Sequence, residues 1–168
     1  MRIYEGSPRQ DFEEVLRSIG AYLDDRGMRE ILVVETDTGF VVQGLVIHST
    51  SSAWGETMGT AYKETLTLLD EDTARFMDDA LARRGAEENG TPDHYESALR
   101  VIGKYIDEQR PRDIFFFEQG GAYVLRLLRM TQAGIHHELV EFTPDDVADL
   151  IARAPALRRG VRTSASHE

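Results

Sequence analysis

The densest group of side chains able to hold a metal or move a proton is His136-His137-Glu138. Imidazole and carboxylate are donors that transition metals accept, but a site needs three or four of them converging. On an extended strand, neighbouring side chains point to opposite faces. His136 and His137 therefore cannot share an ion, whereas His136 and Glu138 can lie on one face. Two ligands fall short of a site, and a cross-strand polar pair is the plainer role. The carboxylates Glu35 and Glu118 are a second set, with Asp37 near the first of them. They occupy equivalent positions in two similar stretches of chain. Together they would form a carboxylate pair near the axis relating those stretches. Apart, they are solvated strand ends or partners for Arg29 and Arg112.

Other candidates concern recognition. The segment 49–60 (STSSAWGETMGT) holds the only tryptophan, Trp54, with glycines at 55 and 59 and Met58 close by. An aromatic in a long polar loop is suited to anchoring a partner, the alternative being a hairpin connection with Trp54 folded back on the sheet. The segment is no phosphate loop, because no lysine follows a glycine-rich turn into a helix. Arg126 and Arg129 replace Gln43 and Val46 of the earlier stretch, making that face more basic and open to an acidic ligand. Motifs for acyl transfer (G-x-S-x-G) and zinc hydrolysis (H-E-x-x-H) are missing. So is the carboxylate pattern of a magnesium nuclease core: residues 40–47 carry no carboxylate, and Lys63 precedes Glu64 in the wrong order.

The elements that must position these residues are written twice. Residues 12–46 align with 95–129 at a constant offset of 83, with 12 identities in 35 positions; roughly two would arise by chance. The identical pairs include Glu13/Glu96, Arg17/Arg100, Gly20/Gly103, Asp24/Asp107 and Glu35/Glu118. The match resumes between residues 64–77 and 138–151 at an offset of 74, so the first copy carries 83 − 74 = 9 extra residues, within the Trp54 segment.

Each copy is expected to run helix, strand, strand, strand, helix. Ser7-Pro8 and Thr91-Pro92 are start signals for the first helices, a hydroxyl cap followed by proline at a position that needs no N–H. Phe12, Val15, Leu16, Ile19 and Leu23 then share a helical face, repeated by Tyr95, Leu99, Ile102 and Ile106. Gly27 and Arg110-Pro111 end these helices. The first strands (31–35 and 114–118) are apolar without alternation, which predicts cover on both faces. Short turns at Asp37-Thr38-Gly39 and Gly120-Gly121 predict antiparallel hairpins. Strands at 40–47 and 62–69, with 123–130 and 135–142, precede closing helices that begin at Asp70 and at Thr143-Pro144. Phe115, Phe116 and Phe117 are expected to pack in the core and between the copies.

The fold class is therefore α+β: a tandem duplication of a helix–three antiparallel strands–helix unit forming a pseudo-dimer. The expected organisation is a first repeat at 1–85, a linker at 86–90, a second repeat at 91–160 and a disordered polar tail at 161–168. One such unit is small for independent stability, so the halves are expected to bury surface against each other.

Composition narrows the function classes. There are no cysteines, which removes disulfides and thiol chemistry and fits a cytoplasmic protein. The net charge of −11 is shared, −7 over residues 1–85 and −4 over 86–168. Neither half offers the clustered cations that duplex nucleic acid requires. No apolar run is long enough to span a membrane, and residues 1–8 have no signal-like apolar region.

The element order, size and acidity resemble the fold of bacterial type III secretion chaperones and of related bacterial sensory-transduction regulators. The resemblance covers residues 7–85 and 91–155 and carries no residue motif. Those chaperones are typically homodimers of one unit, whereas this chain would carry both. The resemblance implies binding to an extended segment of a partner protein, with no catalytic centre and no cofactor. The expected function is a non-enzymatic protein-binding, chaperone-like or regulatory module acting on another protein or peptide, as a monomeric pseudo-dimer or a homodimer. The alternative is a small-molecule or metal-dependent enzyme using the carboxylates and histidines.

Overall fold

The computed structural model describes residues 12–51, 57–83 and 93–154. Within them the elements are α1 (Phe12–Arg26), β1 (Arg29–Thr36), β2 (Gly39–Ser51), β3 (Thr57–Leu69), α2 (Asp70–Arg83), α3 (Tyr95–Gln109), β4 (Asp113–Gln119), β5 (Ala122–Thr131), β6 (Gly134–Phe142) and α4 (Pro144–Arg153). The class is α+β, and both halves have the order helix–strand–strand–strand–helix. Residues 1–11, with Ser7-Pro8, lie outside the described residues, as do the linker 86–90, Thr91-Pro92 and the tail 161–168.

Each half forms a three-stranded meander, and the two meanders join edge to edge. The result is one six-stranded antiparallel sheet ordered β3-β2-β1-β4-β5-β6. At the join, Leu32 faces Phe117, Val33 faces Phe116 and Val34 faces Phe115. Val33 and Phe116 are equivalent under the 83-residue offset, so the join reads the same from either strand. Ile31, Val33, Phe40 and Val42 turn inward with Ile114, Phe116, Leu125 and Leu127. There they meet Phe12, Leu16, Ile19, Leu99, Ile102 and Ile106 in a single core drawn from both halves.

The two central helices, α1 and α3, are clamped by contacts that occur twice with roles exchanged. Asp24 accepts hydrogen bonds from the backbone N–H groups of Tyr95 (2.9 Å) and Glu96 (3.0 Å). Asp107 accepts from those of Phe12 (2.9 Å) and Glu13 (3.0 Å). The Arg17 guanidinium meets Glu96 at 3.4 Å, and that of Arg100 meets Glu13 at 3.2 Å. Gly20 lies against the backbone of Tyr95 and Glu96, and Gly103 against that of Phe12 and Glu13; a methyl group at either position would overlap the facing carbonyl. Each helix thus has its exposed N–H groups satisfied by a carboxylate near the far end of the other, where that negative charge also opposes the positive helix end. This corrects the cap expected for the second of them. Helix α3 starts at Tyr95 rather than at Thr91-Pro92, and its N-cap residue His94 makes no side-chain cap bond, because Asp24 supplies the acceptor.

The other boundaries follow local chemistry. Gly27 (φ 63°) and Arg110 (φ 49°) leave the helices in the left-handed conformation. Gly120 and Gly121 both have positive φ, as a two-residue hairpin turn with the sheet's own twist requires. Helix α4 opens with a reciprocal box: Thr143 Oγ1 accepts from the Asp146 N–H, and the Asp146 carboxylate accepts from the Thr143 N–H. Among the described residues, no helix is long and apolar enough to cross a membrane.

Two expectations are overturned. The nine extra residues of the first half, read as a loop, largely extend a hairpin: Ser49 pairs with Gly59, Thr50 with Met58 and Ser51 with Thr57. Mostly small and polar residues continue the ladder as far as the Ser51–Thr57 pair, and 52–56 lie outside the described residues. The apolar first strands are also not covered on both faces. Burial alternates along β1 and β4; Phe116 is fully buried but Phe117 is 41% exposed. The run is continuous because one set of side chains fills the core and the other forms an apolar outer face.

Candidate functional site

Among the described residues, the helix layer covers one face of the sheet and nothing is packed over the other. On the open face stand Leu32 and Val34 of β1, Val41, Leu45 and Ile47 of β2, Phe115 and Phe117 of β4, and Val124, Leu128 and Met130 of β5, with Ile135 and Leu139 of β6, as the pairing registers require. Among the described residues seven large apolar side chains are exposed, and all but Tyr62 belong to this face. Leu139 is 70% exposed, Ile47 61% and Ile135 60%. Scattered apolar residues are ordinary on a surface. A contiguous apolar sheet face is the signature of a contact surface.

The face is nearly neutral in an acidic chain. Its charged side chains on paired strand positions are Lys63, Arg126, Asp113 and Glu141, two of each sign. The Arg126 guanidinium lies over the Phe115 ring at 5.2 Å, its planar surface shielding part of the patch.

A second feature is a cavity of about 580 Å³ lined in part by Arg29, Glu30, Tyr95, Glu118 and Tyr123. Glu118 is buried; it accepts from the Tyr95 hydroxyl at 2.5 Å and from the Gly121 N–H at 2.9 Å. Burial, with the neighbouring Glu118 carboxylate, holds the Tyr95 and Tyr123 phenols well above the ordinary range, so both stay protonated. Arg29 reaches over the Tyr95 ring at 6.0 Å. In the first half, the positions of Tyr95 and Tyr123 are taken by Phe12 and Phe40, packed edge to face at 6.1 Å in the core. The cavity is thus a tyrosine–carboxylate cluster particular to the second half, with the carboxylate already held by two donors.

The sequence-derived candidates separate. Glu35 and Glu118 lie two residues beyond the central Val33–Phe116 pair in opposite directions, about 13 Å apart along the strands, so they form no carboxylate pair. Arg126 and Arg129, expected on one basic face, are three residues apart on a strand and point to opposite faces. Arg126 is on the open face. Arg129 turns to the helix side, where it donates to Glu138 (3.0 Å) and to the carbonyl and side chain of Gln109 (both 2.7 Å). It closes the end of α3, and its guanidinium is engaged within the chain. Glu138 is its partner, while exposed His136 sits opposite Arg129 in the β5–β6 ladder. Met58 pairs with Thr50 in the β2–β3 ladder. Trp54 lies outside the described residues. Among the described residues no three His, Asp or Glu side chains gather as a metal site would need.

Sequence reasoning missed Leu139, Ile135, Met130 and Phe117 as one surface. The signal was present in the alternation of β6, where Ile135, His137, Leu139 and Glu141 occupy one side and His136, Glu138, Val140 and Phe142 the other. Which side faces water is decided by the helices, and that required the fold.

No protein-family model matches the chain, and no curated protein or solved structure shows significant similarity to it.

Proposed function

We propose that the protein is a non-enzymatic protein-binding module whose docking surface is the open face of the six-stranded sheet. The observation that carries this reading is the position of the exposed large apolar side chains: Ile47, Leu69, Phe117, Met130, Ile135 and Leu139 share one face. Leaving such a patch in water forfeits roughly 25 cal/mol for each Å² that a partner would cover. The resemblance to secretion chaperones in element order supports a role in holding another polypeptide. The reading with a small molecule or metal has less support, since Glu118 is held by Tyr95 and Gly121 while Arg129 and Glu138 bond each other.

The test compares the tagged full-length chain with its Leu139→Glu variant in pull-downs from the source cells. The reading expects one stoichiometric polypeptide, this chain itself included, recovered by the wild type and lost from the variant. Equal recovery by both, together with a metal or metabolite co-purifying in stoichiometric amount, would sink it in favour of the enzyme reading.

A further inference from the structure

We infer that the occupant of the open sheet face is the same face of a second copy of this chain, packed sheet on sheet. This inference rests on the docking reading and names its partner.

The first argument is shape. Six strands spaced about 4.8 Å apart make a face about 29 Å wide. A single helix, about 10 Å across, would cover a third of it, and one extended strand less. Another sheet covers it in one step, at the roughly 10 Å spacing of sandwich cores. The second argument is area. With about seven or eight paired residues per strand the face measures roughly 700 Å² on each copy, close to the roughly 800 Å² that each partner contributes to a standard stable interface. The third is charge. Two copies at −11 each repel over most of their surface, yet this face carries two cations and two anions and adds no repulsion where they meet. An isologous contact needs one patch that tolerates its own image, and an apolar, near-neutral sheet face meets that condition.

The apolar content of this contact is uneven across the sheet. β6 presents Ile135 and Leu139 where β3 presents Ala61 and Thr65. The second half therefore supplies more of the exposed apolar area, with Phe117, Met130, Ile135 and Leu139 against Ile47 and Leu69, within a contact that spans all six strands.

The experiment is sedimentation equilibrium on the purified full-length chain and on Leu139→Glu and Ile135→Glu, from 1 to about 200 µM. The wild type is expected at twice its 19.0 kDa mass. Each variant should weaken dimerisation by about 30-fold or more while keeping the wild-type circular dichroism spectrum, since both side chains stand in water in the single copy. A monomeric wild type across the range overturns the inference, as does a dimer indifferent to both variants. The pull-down separates this failure from failure of the docking reading. A monomer whose capture of another protein is still lost in Leu139→Glu removes only the second copy as partner; a monomer whose capture is unchanged removes both.

Discussion

Between α1 and α3 the polar contacts come in matched pairs. Asp24 and Asp107 cap each other's helices, Arg17–Glu96 mirrors Arg100–Glu13, and Gly20 mirrors Gly103. On the open face of the sheet, the counterparts diverge. Ala61 is answered by Ile135, Lys63 by His137, Thr65 by Leu139 and Thr67 by Glu141. The helical join must close on itself, so any change on one side has to be met on the other. The open face bears no such constraint, and there one half is apolar while the other is polar along its outer strand. The residues common to both halves describe how they are held together. The residues that differ describe what the assembled sheet presents.

Breaking the helical join should produce the largest effects, and equal ones from either side. Gly20→Ala places a methyl group into the Tyr95 carbonyl and should cost about 2–3 kcal/mol; Gly103→Ala, pressed into the Phe12 carbonyl, should cost the same within about 0.5 kcal/mol. Urea denaturation of the two variants checks the symmetry, and a large disparity would mean that the contacts are reciprocal in geometry but not in energy. Next come the shared caps. Asp24→Ala and Asp107→Ala each leave two helix N–H groups without their carboxylate and should each lower stability by about 1–2 kcal/mol.

The tyrosine cluster tests a difference between the halves. Tyr95→Phe gives the second half the residue type found at Phe12 and leaves the buried Glu118 with one donor fewer, which should cost about 1–2 kcal/mol. The phenols also set a pH dependence. Folded Tyr95 and Tyr123 hold their protons above the unfolded value of about 10. Their contribution is therefore complete below pH 10 and is lost as pH rises beyond it. Absorbance at 295 nm should show these two phenols ionising only with unfolding, and Tyr95→Phe should flatten the fall of stability above pH 10. The smallest change belongs to the open face. Leu139→Thr, which copies Thr65, should alter the unfolding free energy of a single copy by no more than about 0.5 kcal/mol, measured at a concentration low enough to keep copies apart.

Much of the scaffold was legible in the sequence because residues 12–46 and 95–129 read so nearly alike. Periodicity located the helices, the glycine turns set the hairpins, and Thr143-Pro144 marked the start of α4. The stripe Glu13, Arg17, Gly20, Asp24 was visible among the identities and recurs at helical spacing, yet its role was not legible. A polar stripe beside an apolar one reads as a solvated face until a second helix with the same stripe is laid antiparallel against it. The start of α3 was misplaced for the same reason: a cap supplied from residue 24 leaves no mark near residue 95. The face of β1 and β4 was misjudged because an unbroken apolar run looks alike whether both sides are covered or one is waiting for a partner. Arg126 and Arg129 were grouped by nearness in sequence, though a spacing of three on a strand divides them.

The reciprocal capping also bears on how the chain is made. Residues that cap each other are separated by 71 to 95 positions, whereas each meander is built from neighbouring strands. During synthesis the first meander can form early, but the Asp107 carboxylate that accepts from the Phe12 and Glu13 N–H groups comes only later, and the inner edge of β1 stays bare until β4 arrives. The first half must therefore wait, with an unpaired strand at its centre-to-be, for the closing half to be translated. Joining two such halves in one polypeptide ensures that the missing edge always arrives, within the time of a single translation and at a concentration that no separate partner could match.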